Sequence, residues 1–488
     1  MTATFRRIKS RDFSRRHLII AGTFSLVLAI GLSIVIANLG GDDPGYGSGG
    51  EEMAALLYSS GEAVPDDFED RNAGLIETAY AELETRYGIG EDDLYDASAN
   101  PEGYRVALTI DEDLQTAVED IEGEAGAVAV EPGSGAVLCY YGAESETGAD
   151  QVGAAAPHPP SSVFDMVTAA TALQDGASID SWWSDEDSDV TLTDAVRDSR
   201  SAAVDDIAEQ YGAESVLQTA SAMGLTAITD ADGTARPTGE DADYSGLKAA
   251  DLDTYAVSVL DMAAVYATIA GDGVYADTHF IDRVVDAKGN TVEADRGIAS
   301  LQAISTTTAR DLQFVGLGGG DALEERDFFG LSGEWTDDPE QSWYVGAIPQ
   351  LSVAAWVGGS GGGDDDPPGV PVWRSVVDTA IEAFNYAPEE FDGAVKAGSD
   401  ITDGIENDDG SIDPESEYCE VNPTAEACGG ATEEPSEDEP SSEEPTDDET
   451  TEEPEPDPTT TSEEPEPEPT TEEPSESPTE CDWLDPNC

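Results

Sequence analysis

The sequence predicts an α+β domain, an antiparallel sheet packed by helices, set between a basic N-terminal segment and a long acidic tail. Three stretches carry that expectation. Residues 126–142 (GAVAVEPGSGAVLCYYG) and 341–358 (QSWYVGAIPQLSVAAWVG) each place two apolar runs around a turn, Glu131-Pro132-Gly133-Ser134-Gly135 in the first and Pro349-Gln350 in the second. That is the pattern of a β-hairpin. Between them, residues 161–176 (SSVFDMVTAATALQDG) have the spacing of a buried helix, with serines at the start and Gly176 as the stop. Helices between antiparallel hairpins give the α+β class.

Taken in order, the chain opens on Arg6, Arg7, Lys9, Arg11, Arg15 and Arg16, with Asp12 the one acid among them. From Leu18 to Leu39 the run LIIAGTFSLVLAIGLSIVIANL carries no charge. Roughly 20 apolar residues cross a bilayer core, so the run is expected to be a transmembrane helix. The basic flank puts the N-terminus in the cytoplasm and the remainder outside. A cleaved signal peptide would have a shorter apolar stretch and a small-residue cleavage site, which Asn38-Leu39-Gly40 does not supply. A Gly- and acid-rich linker follows to about Glu51, then a helix-leaning stretch over 73–86. The compact part is expected to begin near Tyr104 with RVALTID and to end near Ala387, after the amphipathic helical pattern PVWRSVVDTAIEAFNYA.

Beyond Lys396 there is no basic residue, and EEP, EPEP and PTT units repeat. Such a segment cannot bury apolar surface and is expected to be disordered and extended. The whole chain has 20 basic and 107 acidic residues, a formal net charge of -87. That field repels nucleic acid and acidic lipid headgroups, which excludes both as partners, and it favours solubility in a crowded wall. Five cysteines suit an oxidising exterior. Cys139 reads as a small buried side chain. Cys419, Cys428, Cys481 and Cys488 allow three pairings that sequence does not distinguish. The only histidines are His17, His158 and His279, so no zinc set is formed; neither metal nor cofactor is expected.

The segments GYRVALTIDEDLQTAVED, PGSGAVL, VSVLDMAAVYATIAGDGVYADTHFIDRVVDAKGN, SWYVGAIPQLSVAAWVG and PVWRSVV, in that order, resemble the transpeptidase domain of class A penicillin-binding proteins from about Tyr104 to Ala387. The resemblance implies an antiparallel sheet flanked by helices, with an all-helical lobe completing a cleft. The expected divisions are a cytoplasmic basic segment (1–17), the transmembrane helix (18–39), a linker with a short helical region (40–103), the transpeptidase-like domain (104–390) and the acidic Pro/Glu/Thr-rich tail with its terminal cysteines (391–488). About 65 residues separate the apolar run from Tyr104, fewer than the roughly 100 of a typical domain, so no glycosyltransferase unit is expected there.

Members of this family transfer acyl groups through a serine in a Ser-x-x-Lys motif, where serine and lysine lie one helical turn apart and the amine takes the hydroxyl proton. Here PPSSVFDM pairs Ser162, the nucleophile position, with Asp165 in place of the lysine. An aspartate of ordinary pKa, near 3.9, is a feeble acceptor from a serine hydroxyl. His158, four residues upstream of Ser162, reads as an ordinary loop histidine. The second motif, Ser-x-Asn, falls at Ser199-Arg200-Ser201, with Ser201 in place of the asparagine. The third, Lys-Thr-Gly-Thr, falls at FFGLSGEWT: Leu331 replaces the lysine, Ser332 and Gly333 are compatible, and Glu334 replaces the last threonine. A literal Ser-x-x-Lys at Ser245–Lys248 lies in a polar stretch far from the nucleophile helix and is read as chance.

The resemblance therefore implies a wall-associated, transpeptidase-like pseudoenzyme related to peptidoglycan cross-linking. It would act as a binding or scaffold module, with peptidoglycan or wall-synthesis proteins as partners and β-lactam binding disfavoured. The alternatives are a weak serine D,D-transpeptidase, carboxypeptidase or β-lactam-binding protein acting through Ser162, and a structural wall protein acting through its tail.

Overall fold

The computed structural model describes residues 55–429, apart from 96–102, 122, 143–149, 187, 240–241, 287, 318–322, 324–325, 337–339, 360–366 and 408. Strand β1 (Leu56–Leu57) and helix α1 (Ala73–Tyr87) precede β2 (Arg105–Leu108) and α2 (Glu112–Glu119). Asp111 caps α2, its carboxylate accepting from the backbone N–H groups of Asp113 (3.0 Å) and Leu114 (3.2 Å). The first hairpin follows as β3 (Ala125–Val130) and β4 (Val137–Gly142), then helix α3 (Asp165–Asp175). Next come α4 (Ser201–Tyr211), α5 (Ala213–Met223), α6 (Val259–Ala270), β5 (Ile281–Val285) and β6 (Thr291–Val292). Helix α7 (Thr306–Val315) leads to β7 (Phe329–Trp335), β8 (Gln341–Ile348), β9 (Leu351–Gly358) and α8 (Gly369–Ala383).

The central sheet has the order β7-β8-β9-β3-β4 and is antiparallel throughout. Both of its faces are covered, which explains why its strands read as nearly unbroken apolar runs. The two-residue period of a strand sorts the side chains. Ala127, Ala129, Leu351, Val353 and Ala355 pack with Leu114 and Val118 of α2 and Trp373, Val376 and Val377 of α8. Their neighbours Val128, Val130, Ala354 and Trp356 pack on the opposite face with Met262, Val265 and Tyr266 of α6 and the helices beyond it. Trp373 is fully buried and its indole N–H donates to the Gly346 carbonyl at 3.0 Å, so its polar atom is satisfied within the core.

Helix α3 is buried from Asp165 to Leu173, as a helix in the middle of a lobe must be. Gly176, at φ 109°, ends it in the left-handed conformation that glycine adopts without steric cost. Helices α4, α5 and α7 pack around it to form the helical lobe. Both predicted hairpins, the buried helix, the α1 stretch and the 369–383 helix lie where the sequence reading puts them.

The folded body is longer than the 104–390 expected. Upstream, β1 pairs with β2 in a second sheet ordered β1-β2-β5-β6, and Leu56, Phe68, Leu75 and Leu83 lie in the same core as the central sheet. Downstream, residues 391–429 of the expected disordered tail are ordered as a strap. The buried Asp311 carboxylate accepts from the backbone N–H groups of Val395 (2.7 Å), Lys396 (2.7 Å) and Ala397 (2.9 Å). Ser399 pairs through its backbone with Gly176 and Ser178, and Cys419 bonds to Cys428. The strap is held by these main-chain hydrogen bonds, to which an apolar-periodicity reading is blind, and by Phe391, Ala394 and Ile401 packing on the core. Cys139 is fully buried as expected. The apolar run 18–39, Cys481, Cys488 and the rest of 430–488 lie outside the described residues. Among the described residues, no helix is long and apolar enough to cross a membrane.

Candidate functional site

The loop that delivers the serine is anchored before it turns. His158 pairs with Val257 through its backbone, and its ring stacks on Trp356 at 3.8 Å between centroids, with Nε2 2.8 Å from the Gln151 carbonyl. Burial pushes the His158 pKa down to about 4. It is a neutral wedge fixing the loop, which accords with its reading as an ordinary histidine. The indole N–H of Trp343 donates to the Pro159 carbonyl at 2.9 Å. Residues 161–164 then form a single 3-10 turn that runs into α3. Ser161 takes the left-handed conformation (φ 52°), and its hydroxyl donates to the Glu334 carbonyl on β7 at 3.0 Å. Tyr266 of α6 supports the turn from beneath, its hydroxyl donating to the Val163 carbonyl at 2.9 Å.

This geometry brings the first and third motif positions together. Gly333 packs against the turn so closely that a Cβ there would stand 2.5 Å from the Pro160 carbonyl oxygen and 3.3 Å from Ser161 Cβ. Leu331 shares the buried face of β7 with Gly333 and joins the core that holds Val163 and Phe164. Ser332, opposite Tyr344, is half-buried, and Glu334 is exposed.

Ser162 is half-buried and borders a narrow recess with Asp165, Ser201, Asp205 and Asp253. The recess holds about 20 Å³, room for one water molecule. Of the second motif, Ser201 at the start of α4 lines it. Ser199 does not: it is exposed, in the left-handed conformation at φ 51°. Asp165 is 4% exposed and lines the recess beside Ser162. Burial, then the carboxylates of Asp253 and Asp205, hold the Asp165 carboxyl well above the usual aspartate range; the nearby Ser162 side chain opposes them only in part. Asp205 is pushed up to about 6, first by burial, then by Asp253, Asp206, Glu209 and Asp251. Asp253 is raised by burial. Among the described residues, no lysine or arginine lines the recess. Arg200 pairs with Asp185 at 3.7 Å and Lys248 with Asp251 at 2.8 Å, both cations exposed.

Asp205 and Asp253 were not singled out by motif reasoning. Asp205 sits one helical turn after Ser201, so i, i+4 spacing could have found it. Asp253 lies in the 3-10 segment 249–254 and carries no sequence signal. Among the described residues, no group of acids, histidines and cysteines is arranged to hold a metal ion.

Residues 125–320 match the family described as penicillin binding protein transpeptidase domain. Two curated relatives are each named penicillin-binding protein 1A. The one from Mycobacterium tuberculosis is 27% identical over 399 residues, covering 68% of this chain and 46% of the relative. The one from Mycolicibacterium smegmatis is 25% identical over 350 residues, covering 59% and 43%. The chain thus spans less than half the length of these relatives. Among solved structures, penicillin-binding protein PonA1 from Mycobacterium tuberculosis superposes with a TM-score of 0.54 at 22% identity, covering 68% of this chain and 97% of that one. The D,D-transpeptidase domain of a peptidoglycan glycosyltransferase from Eggerthella lenta gives 0.51 at 22% identity, covering 68% and 98%. These structural likenesses establish the fold.

Proposed function

We propose that this chain, whose folded domain belongs to the penicillin-binding protein transpeptidase family, serves peptidoglycan cross-linking as a binding and scaffolding module and forms no acyl-enzyme of its own. The observation that carries this reading is the buried Asp165 carboxyl beside Ser162, in a recess lined by Asp205 and Asp253 and by no lysine or arginine among the described residues, where a lysine amine would activate the serine. Acyl transfer needs the hydroxyl proton removed as Oγ attacks a carbonyl. A carboxyl is a weaker proton acceptor than a lysine amine and can take that proton only once it is itself ionised. If it ionises, its charge stands beside Asp205 and Asp253 in a recess lined by no cation.

Ligand capture is disfavoured as well. The donors used by this family carry a carboxylate that a lysine on β7 would pair with. Leu331 removes the pairing and Glu334 adds a like charge. One ion pair at 4 Å and an effective dielectric near 20 is worth about 4 kcal/mol, and every ~1.4 kcal/mol is a tenfold change in affinity. The domain would stand outside the cell membrane, anchored by residues 18–39, and engage wall polymer or wall-synthesis proteins.

The test is labelling of the full chain with a fluorescent penicillin, alongside Ser162→Ala and a variant carrying Asp165→Lys, Ser201→Asn, Leu331→Lys and Glu334→Thr. The expected result is no Ser162-dependent label on the unaltered chain. A covalent label on the unaltered chain that disappears in Ser162→Ala would establish acyl-enzyme chemistry and overturn the reading.

A further inference from the structure

The helical lobe carries a second recess, separate from Ser162. It is an open groove of about 500 Å³ between the C-terminal ends of α3 and α4, one face of α5 from Ser215 to Ala222, and residues 303–304. Its lining is chemically unlike the rest of this acidic molecule. An acidic cup elsewhere on the lobe, near 420 Å³, is walled by Asp185, Glu186, Asp189, Asp413, Glu415 and Glu417. The groove has one charged side chain, Asp175; amides, hydroxyls and Tyr211 make up its polar wall.

Two of those amides are fixed donors. The Gln174 carbonyl oxygen accepts from the Ser305 backbone N–H at 3.0 Å and from the Thr308 hydroxyl at 2.7 Å. The Gln210 carbonyl oxygen accepts from the indole N–H of Trp183 at 2.9 Å. Their orientation is set by chemistry, because a flipped amide would face N–H against N–H. Each exposed side chain therefore turns its NH2 group away from the protein partner that holds its oxygen. Ser215 and Thr219, four residues apart on α5, add hydroxyls that donate or accept. The Tyr211 hydroxyl stays neutral, its pKa pushed up to about 12 by burial, then by Asp175 and Asp403.

Such a wall calls for a ligand that is uncharged, rich in hydroxyls and equipped with carbonyl acceptors for the two amide donors. Anions are opposed by Asp175 and by the net charge of -87. The volume falls within the usual 300–1,000 Å³ of small-ligand sites. We propose that this groove binds a neutral oligosaccharide bearing N-acetyl groups, its acetamido carbonyls taken by Gln174 and Gln210. This names a ligand class for the binding role proposed above, at a site that does not involve the serine recess.

The test uses the full chain in detergent micelles and the N-acetylglucosamine tetramer as probe, followed by ligand-observed NMR titration. Saturable binding is expected, at least tenfold weaker in both Ser215→Trp and Thr219→Glu, weaker for cellotetraose, and unchanged in Ser162→Ala. No saturable binding to the unaltered chain overturns the proposal, as does equal affinity in the two groove variants or loss of binding in Ser162→Ala. Equal affinity for cellotetraose overturns the assignment of the amide donors to acetamido groups. Tetramer binding that survives alongside a Ser162-dependent penicillin adduct would leave the groove standing and sink the scaffold reading alone.

Discussion

At position 165 two electrostatic effects oppose each other. An aspartate in the first turn of a helix is favoured as an anion by about 0.3–1 kcal/mol through the helix dipole. Burial and two neighbouring carboxylates act in the other direction and dominate. The stability consequence follows from the sign of the shifts. Asp205 and Asp165 are raised in the folded state, so they favour folding fully below the ordinary aspartate value and lose that contribution as pH rises through their folded values, about 6 for Asp205. Asp205→Asn should therefore raise the melting temperature at pH 7.5 and leave it nearly unchanged at pH 4, read by thermal unfolding at both. A gain equal at the two values would mean that the ionised carboxylate is not the source. His158 acts in the opposite sense over a different window. Its depressed pKa withdraws stability as pH falls from about 6.5 toward 4.

At this scale the motif spacing marked Ser162, Asp165, Ser201, Leu331 and Gly333; the first three border one recess, and Gly333 packs against the turn that carries Ser162. Ser199 was placed by spacing alone, and the left-handed bend before α4 leaves it in solvent. The acids that complete the recess, Asp205 and Asp253, come from two elements joined only by tertiary packing, so no local pattern exposes the pair.

Among the elements, the central sheet was the most readable and the strap the least. Alternation along β3 and β9 assigns each side chain to a face, and turn chemistry sets the registers of both hairpins. The strap offers neither signal. Its segment 395–397 is held by one buried carboxylate. Asp311→Ala removes the acceptor of three main-chain donors and should cost about 2 kcal/mol or more, since hydrogen bonds to charged groups contribute roughly 1.5–3 kcal/mol each. Chemical denaturation would measure the loss, and limited proteolysis should show new cleavage near Lys396. Unchanged stability and no new cleavage would mean that the strap is held by its other contacts, such as the Ser399 backbone pairs.

For the whole molecule, the fold is that of the solved penicillin-binding protein structures it superposes on, and among the described residues no cation lines the Ser162 recess. The chain has four lysines, and Lys248 and Lys396, the two whose side-chain pairings the structure defines, bond to surface acids at Asp251 and Asp180. Repulsion of anionic ligands by the net charge is screened beyond a Debye length of about 10 Å at 0.1 M salt. The charges within the serine recess are closer than that and partly desolvated, so they govern its chemistry at any ordinary ionic strength. The scarcity of lysine and arginine is legible in the sequence, because it depends on residue identity alone. The pairing of β1 with β2 and the seating of residues 395–399 depend on main-chain hydrogen bonding, which identity does not report.

The most direct measurement is a carbon-detected NMR titration of the aspartate carboxyl groups, with the Asp165 signal assigned through its disappearance in Asp165→Asn. Asp165 should titrate well above an ordinary aspartate. A midpoint near the usual 3.9 would place an ionised carboxylate beside Ser162 under all working conditions and contradict the account.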